Sequence, residues 1–284
     1  MRIGVIGLGA IGGVVAQRLR ERSGNLEVAA GRKDRLPSAT YDFILLCTRT
    51  ADLETALEPA APLLAADGAV VCLQNGLPEE RAARIVGAER VLGAVIGWSA
   101  SRGGEVTGRG KFIVGGTSPR RHEAAELLWQ VFPVRETDNL AGARWSKLAL
   151  NCAMSTLGAI SGLRLGELAA RRHVRALALK VMAEVADVAR EKGVRMEPVS
   201  GIRPDVLLSL PLPLQHAALW LAVRGRTRQR TGMLDLLEAG RPAGVEDLNA
   251  LVDRPLNRKL VALVREIEQG RRGIAPQNLQ EASR

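Results

Sequence analysis

"MRIGVIGLGAIGGVVAQRLRER", residues 1–22, decides the fold. Residues 1–9 read as a buried strand that runs into a glycine loop, and residues 10–22 continue as a helix. Gly7, Gly9 and Gly12 stand in G-x-G-x-x-G spacing. The first glycine allows a tight turn, and the second lets the backbone approach a pyrophosphate. The third lets the helix pack close to the strand, while the N–H groups at the helix start, on Ala10 and Ile11, face the anion. Glycine spacing alone marks many ordinary turns. Here it follows a strand, opens a helix and begins a βαβ unit, so the reading is a dinucleotide site.

Downstream, short β-rich runs alternate with helical ones up to about residue 137. "LEVAAGR" is the second strand, "YDFILLCT" the third and "GAVVCLQNG" the fourth, with "ADLETALEPAAPLLAAD" (residues 51–67) read as a helix between them. "RVLGAVIGWSA" and "GKFIVGG" complete the sheet around the turn-rich "SRGGEVTGRG". "EAAELLWQVF" is a helix, and "PVRETDN" the last strand. Such alternation predicts a doubly wound, mostly parallel α/β domain over residues 1–137. From residue 138 to 284 helical periodicity takes over, in "GARWSKLALNCAMSTLGAI", "LGELAARRHVRALALKVMAEVADVAREKG" and "RPLNRKLVALVREIEQG". The proline-rich 196–213 stretch reads as an irregular link. The expected architecture is therefore a Rossmann-like domain followed by a mostly helical one.

With 284 residues, the chain is long enough for two such cores. Its net charge of +10 is spread along the whole sequence. The densest run, Arg224, Arg226, Arg228 and Arg230, lacks interleaved aromatics for base stacking, so it reads as a solvated loop rather than a nucleic-acid surface. Cys47, Cys72 and Cys152 lie in apolar contexts without CxxC or Cys/His spacing, and the three histidines are isolated. Neither a disulfide frame nor a metal site is expected. No apolar run reaches the roughly 18 residues of a membrane span. The expected setting is the cytoplasm, with no membrane partner.

The end of the second strand discriminates between dinucleotides. A carboxylate there would accept from the ribose hydroxyls of NAD. This chain has "GRKD", residues 31–34, which places Arg32 and Lys33 at that point. A guanidinium binds a 2′-phosphate bidentately, so the cofactor expected is NADP(H). The loops after the third and fourth strands carry Thr48 and Arg49, then Gln74, Asn75 and Gly76. Asn75 can serve the nicotinamide ribose or the substrate, although Asn-Gly is also an ordinary turn pair.

In "ARWSKLALNCAMST", residues 143–156, polar Lys147, Asn151 and Ser155 interrupt an apolar helix at i, i+4 and i+8. Periodicity allows two readings: a lysine snorkelling at a domain edge, or a polar stripe facing a cleft. The helix opens the second domain, and that position favours the cleft. A cation there can polarise a carbonyl and protonate the alkoxide that hydride transfer creates.

Together "GLGAIGG", "QNG", "WSKLALNCAMSTLGAISGLRLGEL" and "GMLDLLEAGRPAGVEDLN" (residues 232–249) resemble the ketopantoate reductase family over most of the chain and in the right order. The resemblance implies NADPH-dependent reduction of a 2-oxo acid bound between the domains, 2-dehydropantoate to pantoate, on the route to pantothenate and coenzyme A. It implies that Lys147 is the catalytic acid and that Asn151 hydrogen-bonds the reacting substrate. Arg49 would lie near the cofactor phosphate and Asn75 along the nicotinamide side. Three positions depart from the family pattern. Its second helix asparagine is here Ser155, its late serine aligns with Gly232 beside Thr231, and its glutamate falls on Gly244. Glu246 matches the following aspartate and is the candidate to replace that glutamate. The substrate pocket is therefore left open between ketopantoate and another 2-oxo acid. A phosphorylated alcohol or imine, or a non-catalytic NADP(H)-binding regulator, are the alternatives. Pairing of two copies through the helical domain is also expected.

Overall fold

The computed structural model describes residues 1–22, 27–31, 36–100, 104–108, 110–223 and 227–283. These divide into two compact units, Met1–Leu140 and Ala141–Arg284.

In the first unit the strands are β1 (Arg2–Ile6), β2 (Glu27–Gly31), β3 (Tyr41–Leu46), β4 (Leu64–Cys72), β5 (Val91–Ile96), β6 (Ser99–Ala100), β7 (Val106–Thr107), β8 (Phe112–Gly116) and β9 (Val134–Thr137). Seven of them form one sheet in the order β2-β1-β3-β4-β5-β8-β9, while β6 and β7 pair as a small antiparallel ribbon. All neighbours in the main sheet run parallel except β5 and β8. Its helices are α1 (Ala10–Arg22), α2 (Leu53–Leu57), α3 (Glu79–Val86) and α4 (Arg121–Trp129).

Period-two alternation in these strands builds two cores, one on each side of the sheet. Ile3, Val5, Phe43, Leu45, Ala69 and Val71 pack with α1 and α4 residues such as Val15, Leu19, Leu127 and Leu128. Ile6, Ile44, Leu46, Val70 and Cys72 pack oppositely with Leu53, Leu57 and Ala82 of α2 and α3. The doubly wound sheet expected from the sequence is observed.

Two local expectations need correction. The helix read over residues 51–67 is only α2, from Leu53 to Leu57. Pro59 has no N–H to extend the helical hydrogen bonding, Pro62 sits in a 3-10 turn, and β4 already begins at Leu64. The 196–213 link is also more ordered than expected. Arg203 precedes a helix with Pro204 in its first turn, where a proline costs no hydrogen bond.

The second unit contains α5 (Leu140–Leu150), α6 (Thr156–Ser161), α7 (Leu165–Ala170), α8 (Arg172–Glu191), α9 (Pro204–Ser209), α10 (Leu212–Ala222), α11 (Gly232–Glu238), α12 (Pro255–Glu268) and α13 (Gln277–Ser283). Among its described residues the only strand-like pairing is an isolated bridge, Val199–Ile202. Helix α8 is the spine: Val174, Leu177, Ala178, Val181, Met182, Val185 and Val188 repeat at helical spacing and are buried. Between α5 and α6 the chain makes one π turn, Asn151–Ser155.

Candidate functional site

In the nucleotide unit the candidate site is a set of loops at the carboxyl ends of the parallel strands. The chain runs from β1 to β2 on one side and to β3 on the other, so β1 and β3 flank the switch point where such sheets bind ligands. Gly7 has φ 94°, and a Cβ there would come 2.5 Å from the Thr48 nitrogen. At Gly12 a Cβ would meet the Gly7 carbonyl oxygen at 1.9 Å, so no other residue keeps α1 this close to β1. Gly9 differs: a Cβ there meets nothing within 4 Å. The backbone at Gly9 is therefore open to close approach by a ligand. Ala10 and Ile11 open the 13-residue α1, whose first N–H groups favour an anion. The residues present fit a dinucleotide.

The flanking loops are tied to one another. Thr50 Oγ1 donates to the Asn75 carbonyl at 2.7 Å, and Gln74 Nε2 to Thr48 Oγ1 at 3.3 Å. Gly76 takes φ 79°, which turns the chain and leaves the Asn75 side chain exposed. Arg49 forms a two-pronged ion pair with Asp52, Nε–Oδ2 at 2.8 Å and Nη2–Oδ1 at 2.9 Å. A partly exposed pair of this kind contributes less than about 1 kcal/mol. Arg32 and Lys33, read as the 2′-phosphate determinants, lie outside the described residues.

The helical unit holds the second set of groups. On α5, Trp145, Leu148 and Ala149 are buried, as the apolar spacing predicts, and Lys147 is half-buried on the open edge. Asn151 follows one turn later and is buried. The expected line through Ser155 does not continue. Thr156 N–H reaches back five residues to the Asn151 carbonyl, so the π turn inserts one residue into the helix. The position stacked beyond Asn151 is thereby Thr156, which is fully buried, and Ser155 is turned aside.

The π turn leaves a carbonyl to be satisfied. In a regular α-helix Thr156 N–H would bond Cys152 O. Here Cys152 O accepts instead from Asn249 Nδ2 at 3.1 Å, while Thr156 Oγ1 donates to Asn249 Oδ1 at 2.6 Å. Asn249 Nδ2 also donates to Asn257 Oδ1 at 2.9 Å. Asn257 Nδ2 in turn donates to Glu184 Oε2 at 2.8 Å, and the Glu184 carboxylate accepts the Leu256 and Asn257 N–H groups at the start of α12. Ser155 O accepts from Thr231 Oγ1 at 3.3 Å. Thr156, Asn249 and Asn257 are all completely buried. Each such buried group would cost about 1–3 kcal/mol if left without its partner.

The late segment carries the positions at which this chain departs from the family pattern. Thr231 is the N-cap of α11, accepting from Leu234 N–H as well as donating to Ser155 O, so its hydroxyl is used in the fold. Glu246 is an exposed carboxylate paired with Arg265, at 2.7 Å and 2.9 Å. Gly244 sits at φ 80°, a backbone that side-chain-bearing residues adopt only with strain. A Cβ at Gly232 or Gly244 meets nothing within 4 Å. Within the basic run, Arg230 pairs with Asp235 and Glu238, while Arg224 and Arg226 lie outside the described residues.

Reading the sequence for chemistry misses Asn249 and Asn257, which stand about a hundred residues from Lys147, and Thr156, which comes into the Lys147–Asn151 line only through the π turn. Asn249 had one visible signal, as the last residue of the family-like late segment.

Two family models match this chain. Ketopantoate reductase PanE/ApbA matches residues 27–118, and the C-terminal model of the same family matches residues 139–268. The chain belongs to the ketopantoate reductase family. The 2-dehydropantoate 2-reductase of Mesorhizobium japonicum is 26% identical over 94% of this chain and 98% of its own length. For the Pyrococcus horikoshii 2-dehydropantoate 2-reductase the identity is 25%, over 61% of this chain and 60% of that protein, so this match spans less than two thirds of the relative. A PanE/ApbA family ketopantoate reductase from Ralstonia eutropha JMP134 superposes with a TM-score of 0.76, at 25% identity over 95% of this chain and 99% of that one. These curated relatives are oxidoreductases acting on CH–OH groups, and the chain is an enzyme of that class. Among the described residues no helix is long and apolar enough to cross a membrane, and no His/Cys/Asp/Glu group could hold a metal.

Proposed function

We propose that this protein is an NADPH-dependent 2-oxo acid reductase whose substrate is 2-dehydropantoate. The observation that carries the reading is the pairing, on one chain, of an open Gly9 phosphate cradle with a half-buried Lys147 one turn before a buried Asn151. NADPH, when bound, supplies the hydride for the keto carbon. The Gly7–Gly12 backbone and the α1 N-terminus hold the pyrophosphate, Arg49 lies toward the phosphates, and Arg32 binds the 2′-phosphate. Asn75 meets the nicotinamide side. Lys147 Nζ stabilises the oxyanion that forms on the substrate and delivers a proton to it, while the Asn151 carboxamide orients the carbonyl.

The π turn takes Ser155 off the Lys147–Asn151 line, and Glu246 is committed to Arg265. Both observations support recognition of the rest of the substrate by groups other than these two. The open space at Gly232 and Gly244 favours a second reading, in which a bulkier branched 2-oxo acid is the better substrate.

A panel of 2-oxo acids with NADPH and NADH, followed at the nicotinamide absorbance, tests both readings. The expected result is turnover with NADPH, fastest for 2-dehydropantoate, abolished in Lys147→Ala. Turnover of no 2-oxo acid would overturn both readings and leave the phosphorylated-alcohol and regulator alternatives. The same proposal places the enzyme in the cytoplasm, as a homodimer through the helical unit. Exposed Leu212, Leu214 and Leu221 on α10 support that pairing, and sedimentation analysis tests it.

A further inference from the structure

The π turn sits immediately after the lysine helix, and its geometry depends on a residue almost a hundred positions away. Thr156 N–H goes to Asn151 O and Ala153 O, which frees Cys152 O for another donor. Asn249 supplies that donor, and the same carboxamide accepts a hydrogen bond from the Thr156 hydroxyl. One side chain therefore bridges both ends of the inserted residue. Its remaining N–H is committed to Asn257, whose own amide and backbone N–H are held by Glu184. Every polar atom of the Asn249 side chain is used, within a completely buried site, so this carboxamide has one orientation.

We propose that Asn249 is a positioning residue for the reduction: it holds the π turn that opens at Asn151 and so fixes how the Lys147–Asn151 pair stands relative to α6. The inference rests on the roles assigned above to Lys147 and Asn151. Without the Asn249 bridge, the turn relaxes toward regular α-helical bonding, in which Thr156 N–H recaptures Cys152 O. That change removes one inserted residue and rotates α5 against α6 by about 100° about the helix axis. Asn151 stands at the junction and loses its place first. Asparagine is required in chemical terms, because the site needs one acceptor and two donors on a single planar group.

Two shape-conserving variants test this. Asn249→Asp keeps the outline and the acceptor but removes both donors, and Thr156→Val removes only the hydroxyl. In Asn249→Asp the kcat/KM for the 2-oxo acid should fall about a hundredfold, with NADPH binding unchanged. Thr156→Val should show the same pattern more weakly. Because Asn249 acts through Asn151, its effect on kcat/KM should disappear in an Asn151→Ala background. A purely structural role would instead give additive losses and would overturn the proposal.

Amide hydrogen exchange over residues 151–157 supplies a readout independent of turnover. Folded Asn249→Asp protein should lose protection there and keep it in α8 and α12. Unchanged exchange in a folded variant would overturn the proposal. If wild-type protein turns over no 2-oxo acid, the functional reading fails by itself, and the exchange result still decides whether Asn249 holds the turn.

Discussion

At Gly9 the nucleotide unit leaves its backbone open, whereas at Asn151 the helical unit carries a buried side chain on a turn that another side chain holds in shape. The first arrangement is local: Gly7, Gly9 and Gly12 span six residues, and their conformations follow from what a Cβ would strike. The second is assembled from segments far apart in the chain, with a hydrogen bond between residues 97 positions apart. A backbone cradle tolerates sequence change around it but not at its glycines. A turn braced by side chains fails when any member of the brace is lost, however far away in sequence.

The largest expected effect lies on the helical side. Lys147→Ala should lower kcat by about 10²- to 10⁴-fold, the usual worth of a positioned proton donor. NADPH binding measured by fluorescence should not change. Equal losses in kcat and in NADPH affinity would erase the division of labour between the two regions.

Next in size, the glycines should separate from one another. Gly9→Val fills open space, so it should weaken NADPH binding by about 10- to 100-fold, the worth of one or two charge-assisted hydrogen bonds, with an unchanged melting temperature. Gly12→Val drives carbon into the Gly7 carbonyl and should lower the melting temperature of the nucleotide unit by several degrees as well. If the two variants behave alike, Gly9 serves packing and the cradle reading falls.

A smaller effect is expected from Arg32→Ala. NADPH affinity should drop about tenfold or more while NADH affinity holds, because only the 2′-phosphate contact is lost. Titration with both cofactors checks it.

The smallest effect concerns pH. His216 of α10 is buried, and loss of hydration, then Arg175 and Arg172, holds its imidazole below the ordinary value of 6.5. The unfolded chain therefore binds a proton more readily than the folded one. The stability contributed by neutral His216 is complete above about pH 6.5 and is lost as pH falls toward the lower folded value, so acid should loosen the helical unit. The acid-side decline in melting temperature should be shallower in His216→Asn. An equally steep decline would assign it to other groups.

Much of this molecule can be read from its sequence, and the unread parts share a cause. Alternation in residues 43–46 and 69–72 announces strands buried on both faces, because each side chain's face is set by its own position. Trp145, Leu148 and Ala149 announce the buried wall of α5 in the same way. The end of α2 was legible in principle from Pro59, but the apolar run into β4 masked it. The π turn was not legible. Residues 147–156 carry ordinary helical spacing, and the inserted residue is stabilised by Asn249, which no local pattern reports. Glu246 illustrates a related limit: no local pattern announces its ion pair with an exposed arginine nineteen residues on.

The long reach of that brace also sets an order of events during synthesis. Residues 1–139, with every strand of the sheet among them, are synthesised before the lysine helix is made. Thr156 must then wait for Asn249, 93 residues later. At elongation rates of about 5–20 residues per second, that interval lasts roughly 5–20 s. For that time a nascent chain can carry a finished nucleotide fold beside a helix that still lacks its inserted turn. Reductase competence would then arrive as a late step, coincident with docking of the final quarter of the chain.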